Sequence, residues 1–311
     1  MRVLVTGGAG FVARHLAAEL NAAGHEVWLS DCLDANLPNY LKADLTDEKS
    51  IRELVADVRP DAIAHLGAIS FVPDAAKDCA ILERVNVGGT RNLLEALVAA
   101  RLPRRPNDLP QFLFASTAQV YMKTLSAYAM SKMSGEALVL HYCREGIDAV
   151  IARPANHTGP GQSEKFVVPS FIRQALEIKA GKRCCFTVGN LDSIRDFTDV
   201  RDVVRAYRLM LERGVTTGVY AIGSSDRLSM RELLVKVAKI VGVPDSYEVD
   251  KALWRPTDVS PCLNIEPIQS LGWRQSFTLD DTLADMVALS RNQDFPVRMP
   301  CDTGSIMLKT S

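Results

Sequence analysis

The stretch MRVLVTGGAGFVARHLAAEL, residues 1–20, decides the fold of this chain. Its first six residues make an apolar run of strand length, and the pattern from residue 11 onward is helical. A glycine-rich turn between a strand and a helix lets backbone N–H groups approach a pyrophosphate at the positive end of the helix. Gly7 and Gly10 fit a variant of the dinucleotide-binding fingerprint in which Ala13 replaces the third glycine. The sequence therefore predicts a nucleotide-binding strand–turn–helix unit.

A second strand is predicted at 26–31, and it ends in Asp31. An acid about 20 residues beyond the glycine turn is placed to hydrogen-bond the ribose hydroxyls of a bound adenosine. Its charge would repel a 2′-phosphate, so the sequence favours NAD(H) as the cofactor. Arg14 leaves NADP(H) possible.

A cluster of chemically useful side chains lies near the middle of the chain. Tyr128 and Lys132 are four residues apart in a predicted helix, which puts a phenol and an ammonium on one face. A phenol with a pKa of about 10 is a poor acid–base catalyst at neutral pH, and a nearby ammonium lowers that pKa. Thr117 follows the preceding predicted strand and would hydrogen-bond the same substrate oxygen. These three residues are the predicted catalytic set for proton transfer coupled to hydride transfer.

Strands and helices alternate along most of the chain, with no internal repeat. This pattern predicts an α/β fold with a doubly wound parallel sheet of the Rossmann type and a smaller mixed α/β lobe. The predicted strands are 2–6, 26–31, 61–66, 111–116, 148–153 and 218–222. The predicted helices are 11–23, 48–57, 82–100, 127–144, 169–180, 200–213 and 229–241.

Three regions follow from this pattern. Residues 1–158 are expected to form the dinucleotide-binding domain, and residues 159–293 a substrate-binding lobe from which 188–222 crosses back to the first domain. Residues 294–311 lack periodicity and are expected to form an irregular tail. The segment 101–110 is predicted to be a proline-rich loop.

The composition argues against several classes of protein. A chain of 311 residues with a net charge of −1 gives no electrostatic case for binding nucleic acid. No apolar run approaches ~18 residues and no signal peptide is apparent, so a cytoplasmic protein without a membrane span is expected. The seven cysteines are scattered and odd in number, which fits a reducing compartment. Neither they nor the five histidines have metal-ligand spacing, so no metal is predicted.

Taken together, these residues resemble the extended short-chain dehydrogenases/reductases, the NAD-dependent family of nucleotide-sugar epimerases, dehydratases and reductases. The resemblance reaches nearly to residue 290 and includes the segments 43–45, 65–68 and 86–90. It implies an NAD(P)-dependent enzyme that acts on a nucleotide sugar. The cofactor-binding residues expected from the glycine turn and the resemblance are Gly7, Gly10, Phe11, Val12, Asp31, Asp44, Leu45, Leu66, Gly67, Ala68, Tyr128 and Lys132.

Within that family, the segments 153–162, 188–202 and 255–259 are similar to the reductases that make GDP-D-rhamnose from GDP-4-keto-6-deoxy-D-mannose. The similarity implies hydride transfer to C4 of a 4-keto-6-deoxy nucleotide sugar, with Tyr128 as the general acid. The arginines of these segments could bind the substrate diphosphate or pair with neighbouring aspartates such as those at 196 and 258. The residues expected to bind the substrate are Asn156, Val168, Arg195 and Arg255.

Other activities of the family remain open. Its 4,6-dehydratases carry an Asp-Glu pair after the hydroxyl residue, and Ala118 and Gln119 stand there in this chain, which argues against dehydration. A C4 epimerase with tightly bound NAD needs only Tyr128 and is the second hypothesis. A non-catalytic dinucleotide-binding regulator is the third. The loop between Tyr121 and Tyr128 is shorter than is usual in the family, which predicts a more open pocket.

Helices 82–100 and 127–144 carry more apolar residues than one core-facing stripe requires. In the resembled family these helices pair with their symmetry mates, so a homodimer is expected. The alternative is that the second stripe packs on the smaller lobe or on the tail. The apolar residues concerned are Val85, Val87, Leu93, Leu94, Ala96, Leu97, Val98, Met130, Met133, Ala137, Leu138, Leu140 and Tyr142.

Overall fold

Twelve strands and ten helices are found in the described part of the chain. The computed structural model describes residues 1–70, 79–100, 111–224 and 226–291. The strands are β1 (Arg2–Thr6), β2 (Glu26–Asp31), β3 (Tyr40–Lys42), β4 (Ala62–His65), β5 (Phe112–Ala115), β6 (Ala149–Pro154), β7 (Asn156–Thr158), β8 (Phe186–Val188), β9 (Ile194–Asp199), β10 (Val219–Ile222), β11 (Arg227–Ser229) and β12 (Tyr247–Val249).

Two irregular helical turns accompany the α-helices. A π-helical turn, Glu83–Gly88, joins two of them, and a 3₁₀ turn, Ala118–Tyr121, follows β5. The α-helices are α1 (Phe11–Ala22), α2 (Glu48–Val58), α3 (Cys79–Leu82), α4 (Gly89–Ala100), α5 (Ala127–Arg144), α6 (Val167–Lys179), α7 (Val200–Arg213), α8 (Met230–Val241), α9 (Glu266–Ser270) and α10 (Leu279–Arg291).

Seven of the strands form one sheet in the order β10-β6-β5-β4-β1-β2-β3, and every neighbouring pair is parallel. The chain reverses its direction of winding between β1 and β4, which opens a crevice at the carboxyl ends of these strands. The predicted α/β fold with a doubly wound parallel sheet is confirmed. All six predicted strands lie in this sheet.

Helices cover both faces of the sheet, because its strands are apolar on both sides. In β1, Val3 and Val5 pack on the face that carries α1 and α7, and Leu4 packs on the face that carries α2, α4 and α5. Gly135 lets α5 approach the sheet closely. A Cβ at this position would come within 2.4 Å of the Phe114 ring. The close approach brings the start of α5 beside the carboxyl end of β5.

A smaller lobe stands over the carboxyl ends of the sheet. It contains the three-stranded sheet β11-β9-β7, the pair β12-β8, and a separate apolar core built from α6, α8 and α10. The chain crosses between the two regions, since β10 returns to the main sheet after β9 has joined the lobe. The domain limits at residues 158 and 293 stay predictions.

The short strands of the lobe were not predicted from the sequence. The strand β9 reads IRDFTD, and its charged residues hide the apolar alternation that marks a strand. The loop 101–110 and the tail 294–311 lie outside the described residues. Among the described helices, none combines the length and the apolar character needed to cross a bilayer.

Candidate active site

The glycine turn between β1 and α1 forms a tight cradle at the carboxyl end of the sheet. Gly7 has a φ of 71°, and its carbonyl accepts the N–H of Gly10 at 2.9 Å. A Cβ on Gly7 would come within 2.8 Å of the backbone nitrogen of Gly67, so this position requires glycine. Gly10 precedes α1 and has no side chain to cap it. The first N–H groups of α1 are therefore available to an anionic ligand.

Asp31 ends β2 beside this cradle. Its carboxylate accepts the backbone N–H of Ala9 at 3.2 Å and that of Leu33 at 3.3 Å. These two contacts fix the carboxylate between the glycine turn and the chain that follows β2. The arrangement suits a pair of ribose hydroxyls next to a pyrophosphate.

A continuous cavity of about 1180 Å³ runs from this cradle into the smaller lobe. Its volume is ample for a dinucleotide together with a second ligand. Every residue that the sequence nominated for the site lines its wall. These residues are Gly7, Gly10, Phe11, Val12, Asp31, Asp44, Leu45, Leu66, Gly67, Ala68, Thr117, Tyr128, Lys132, Asn156, Val168, Arg195 and Arg255.

Thr117 and Tyr128 meet in the cavity because β5 and α5 end and begin side by side. Thr117 caps the 3₁₀ turn, where its Oγ1 accepts the N–H of Gln119 at 3.2 Å. The hydroxyl keeps its own proton, which it can donate to a ligand. Ser126 caps α5 by accepting the N–H of Ala129 at 3.1 Å, and Tyr128 is the second residue of that helix. The short loop therefore does not prevent these groups from converging.

Lys132 lies one turn after Tyr128 and is almost fully buried, with 3% of its surface exposed. Its Nζ donates to the Ala115 carbonyl at 2.7 Å and lies 4.9 Å from the centre of the Phe114 ring. The cavity thus presents a hydroxyl, a phenol and an ammonium near the carboxyl end of β5.

Comparison with known proteins identifies the family of this chain. Residues 3–223 match the sequence profile described as the NAD dependent epimerase/dehydratase family. The chain belongs to that family. The match covers all of the main sheet except Arg2, the glycine turn and the segment 117–132.

Among curated members of the family, the GDP-6-deoxy-D-mannose reductase of Pseudomonas aeruginosa is 34% identical over 301 aligned residues. The alignment covers 91% of this chain and 94% of that protein. The structure of RMD from Pseudomonas aeruginosa complexed with NADPH is 32% identical, with a TM-score of 0.80, and the match covers 93% of this chain and 99% of that one. The NAD complex of the Thermus thermophilus UDP-glucose 4-epimerase is 28% identical, with a TM-score of 0.82 and coverage of 94% and 99%.

Membership of this family explains the glycine cradle, because the family depends on nicotinamide dinucleotides. The residues present fit such a cofactor. The positive φ and close approach at Gly7 leave room for a pyrophosphate against the backbone, and the Asp31 carboxylate lies where the fingerprint places the ribose.

The expected lowering of the Tyr128 pKa is wrong. Burial raises the pKa of Tyr128 to about 12, and the Lys132 ammonium does not bring it down. The ammonium is engaged by the Ala115 carbonyl, and burial lowers the pKa of Lys132 itself to about 8 while the Glu136 carboxylate opposes that change. Desolvation of the phenol is the cause of its raised pKa.

The substrate-side arginines are held partly by the protein. Arg195 pairs with Asp258 at 2.5 Å, as the alternative interpretation of the sequence predicted, whereas Asp196 is buried and accepts the Ser224 hydroxyl at 2.7 Å. Arg255 donates to the carbonyl of the preceding Trp254 at 2.9 Å. Five donors on each guanidinium leave further N–H groups for a ligand.

Val168 contributes its backbone, and not its side chain, to the wall of the cavity. The side chain is buried in the core of the smaller lobe, so only its backbone can meet a ligand. Val167 and Val168 open α6, and the first N–H bonded back into the helix is that of Ser170, which donates to the Phe166 carbonyl at 3.0 Å. Asn156 opens β7 and lines the same region of the cavity.

Sequence reasoning missed a buried polar chain behind the cofactor side. Thr90 donates to the Asn86 carbonyl at 2.6 Å, so it accepts from Nε2 of His65 at 3.0 Å. Nδ1 of His65 then accepts the Thr6 hydroxyl at 2.7 Å, and Thr6 accepts the Gly67 N–H at 3.2 Å. Burial, with a smaller effect of the Lys132 charge, lowers the pKa of His65 to about 3, which keeps this ring neutral.

Asn86 makes a second set of buried hydrogen bonds, which reaches Ser131, the residue before Lys132. Its side-chain amide bridges the backbone of Ile69, at 2.8 and 3.2 Å, to the Ser131 hydroxyl at 2.9 Å. The segments 65–68 and 86–90 carried the family resemblance. His65 opens the first of these segments and Asn86 opens the second, and apolar residues follow each of them. This pattern was the sequence signal that a polar side chain enters the core there.

Proposed function

We propose that this protein reduces the C4 carbonyl of GDP-4-keto-6-deoxy-D-mannose to the alcohol of GDP-D-rhamnose, with a nicotinamide cofactor. The observation that supports this proposal most is which side chains near Thr117 can donate or accept a proton. Tyr128 is a desolvated phenol that stays protonated, and the residues after Thr117 are Ala118 and Gln119. One proton donor suffices for carbonyl reduction, whereas elimination of water needs a further acid and base.

The roles of the residues follow from the chemistry of reduction. A bound reduced nicotinamide supplies a hydride, and the carbonyl oxygen then requires one proton. Tyr128 donates that proton, and a pKa raised to about 12 keeps the phenol protonated until the oxygen gains negative charge. Thr117 donates a hydrogen bond to the same oxygen and stabilises the developing alkoxide. Lys132 holds the ribose hydroxyls beside the nicotinamide.

A C4 epimerase is the alternative, favoured by the structural similarity to the UDP-glucose 4-epimerase of Thermus thermophilus. An epimerase must first remove the proton of the C4 hydroxyl, which requires Tyr128 as a phenolate. The burial that raises the pKa of Tyr128 opposes this first, oxidative step. The direction of the shift therefore supports reduction.

The substrate half of the cavity suits the diphosphate of a nucleotide sugar. Arg195 and Arg255 lie on its wall with spare donors, and the open N–H groups of Val167 and Val168 face the same region at the start of α6. Gly189 helps to assemble this wall. A Cβ there would come within 2.3 Å of the Leu253 carbonyl, so the turn that carries Arg255 rests directly on the chain before β9.

We also propose that the protein is a homodimer through α4 and α5. The core takes up Val87, Leu93, Leu94, Ala96 and Leu97, but another set stays in solvent. On α5 the exposed residues recur at intervals of three and four, which is the stripe of a helix that packs on a partner helix. The exposed apolar residues of the two helices are Val98, Met130, Met133, Ala137 and Leu140.

The proposed activity is tested by incubating the purified protein with NADH or NADPH and a panel of freshly prepared 4-keto-6-deoxy nucleotide sugars, the GDP and dTDP forms first. We expect oxidation of the cofactor with the GDP substrate and a product whose sugar NMR spectrum is that of GDP-D-rhamnose. Turnover of a 4-hydroxy nucleotide sugar to its C4 epimer, without added cofactor, would instead establish the alternative.

A further inference from the structure

A buried ion pair lies directly behind the catalytic lysine, one helical turn from it. Glu136 follows Lys132 by four residues on α5, and only 6% of it is exposed. Its carboxylate accepts two hydrogen bonds from Arg153 of β6, from Nε at 2.9 Å and from Nη2 at 2.5 Å. Arg153 in turn lies over the ring of Tyr121, 4.8 Å from its centre. A bidentate pair of this kind fixes the direction of both side chains.

The same carboxylate also holds the chain segment that carries the catalytic hydroxyl. Ser116 donates its hydroxyl to Glu136 at 2.5 Å. Ser116 stands between Ala115, whose carbonyl accepts Nζ of Lys132, and Thr117. The last residue of β5 and the two residues after it thus contact Lys132, contact Glu136 and line the cavity, in that order.

Among the described residues, Glu136 is the carboxylate that acts on the Lys132 charge. The lysine side chain contacts the Ala115 carbonyl and the Phe114 ring on β5, and its charge acts on the neutral His65 of β4. Tyr128 lies one turn before it on the same helix and carries no charge. Arg153, on β6, is also positive and pairs with Glu136. Burial lowers the pKa of Lys132 to about 8, and Glu136 is the group that raises it. A buried ammonium without a carboxylate nearby gives up its proton more readily.

We propose that Glu136 is a positioning residue that keeps Lys132 charged and holds the Ala115–Thr117 segment in place against it, with Arg153 orienting the carboxylate. This inference rests on the proposed function only for the role of Thr117 as a hydrogen-bond donor to the substrate. The control of the Lys132 charge is a property of cofactor binding and is measurable without any sugar.

The test is the pH dependence of NADH binding, followed by cofactor fluorescence, in wild-type protein and in Glu136→Gln. In the wild type we expect binding to weaken as the pH rises through about 8, where Lys132 loses its charge. In the variant the weakening should begin at a pH lower by roughly half a unit or more, because the charge that retains the proton is gone. At about pH 6 Lys132 is charged in both proteins, and the two dissociation constants should agree within about threefold.

Two further variants separate control of charge from loss of stability. Glu136→Asp keeps the charge but withdraws it by one methylene, so its pH profile should move in the same direction by less. Asp199→Asn breaks another buried carboxylate–arginine pair, with Arg201 at 2.7 Å, and should leave the pH profile unmoved although the protein loses stability.

A pH profile of NADH binding that coincides with wild type in Glu136→Gln would overturn the proposal. If that variant does not fold, Glu136→Asp decides, and an unmoved profile there has the same meaning. Failure of the sugar assays alone would count against the proposed reaction and leave this test intact.

Discussion

The two halves of the cavity are built by different means. On the cofactor half, Gly7 follows β1 and Asp31 ends the neighbouring β2, and backbone N–H groups hydrogen-bond to both residues. On the substrate half, Arg195 and Arg255 come from segments sixty residues apart, and Arg195 is oriented by an ion pair with Asp258. One half depends on the backbone of a short local motif, and the other depends on side chains that meet only in the folded chain.

This difference explains what each half can be used for. A backbone cradle recognises groups shared by all dinucleotides, and it depends on glycines at positions where a Cβ would clash. A binding surface made of arginine side chains can be changed by substituting one residue at a time, so it can be adapted to different sugar nucleotides. Tyr128 and Lys132 lie where the halves meet, which makes them the place to separate binding from chemistry.

The largest effect is expected for Tyr128→Phe. The change removes the proton donor and leaves the glycine turn, Asp31 and Lys132 intact, so kcat should fall by about 10³-fold while NADH binding persists. Stopped-flow reduction of the sugar and fluorescence titration of the cofactor measure the two quantities. Activity within about tenfold of wild type, on an intact fold, would sink the assignment of Tyr128 as the acid.

The fold and the cofactor half were predictable because their signals are local. The pattern of residues 1–20 predicts a strand, a turn and a helix in that order. The alternation of strand and helix patterns up to β6 predicts a parallel sheet. The strands of the smaller lobe were not predicted because most of them are three residues long. In β9, Arg195 and Asp196 occupy strand positions whose partners come from elsewhere in the chain.

The residues proposed to be catalytic were predicted from their spacing, but their electrostatics could not be predicted in that way. Spacing of four gave the shared face of Tyr128 and Lys132 correctly. It could not give the depth of burial, which sets the pKa of the phenol, or the Ala115 carbonyl that engages the ammonium. The ion pair of Glu136 with Arg153 joins residues that are 17 positions apart, one on α5 and one on β6. No local sequence pattern predicts such a pair.

On the substrate half, Arg195→Met should weaken sugar nucleotide binding most. Loss of charge-assisted hydrogen bonds to a diphosphate is worth roughly 1.5–3 kcal/mol, so KM should rise about 10- to 100-fold with NADH affinity unchanged. The matched control is Asp258→Asn, which breaks the same ion pair but keeps the cation, and its KM should stay near wild type. A raised KM in both variants would mean that Arg195 acts only through the fold.

On the cofactor half, Asp31→Ala tests the choice between cofactors. The carboxylate should disfavour a 2′-phosphate, so wild-type protein should have the higher kcat/KM with NADH, and the variant should narrow the difference by roughly tenfold. Asp34→Ala is the control, since Asp34 is exposed, pairs with Lys42 at 2.8 Å and follows the same strand. A clear preference of wild type for NADPH would show that Arg14 dominates at this end of the cavity.

The smallest effect on chemistry is expected from breaking the proposed dimer. Met133 lies on α5 with 42% of its surface exposed, on the stripe that is proposed to meet a partner helix. Met133→Lys puts a charge into that contact, so the mass from light scattering at micromolar protein should fall from twice 34.1 kDa to 34.1 kDa.

Ser134→Lys adds the same charge beside the stripe and should stay dimeric. Because Lys132 is held by Ala115 within its own chain, the separated monomer should bind NADH within about threefold of wild type. A wild-type mass of one chain at every concentration would refute the dimer. A monomeric variant that loses NADH would instead show that the cofactor half, unlike its glycine cradle, depends on contacts made between two chains.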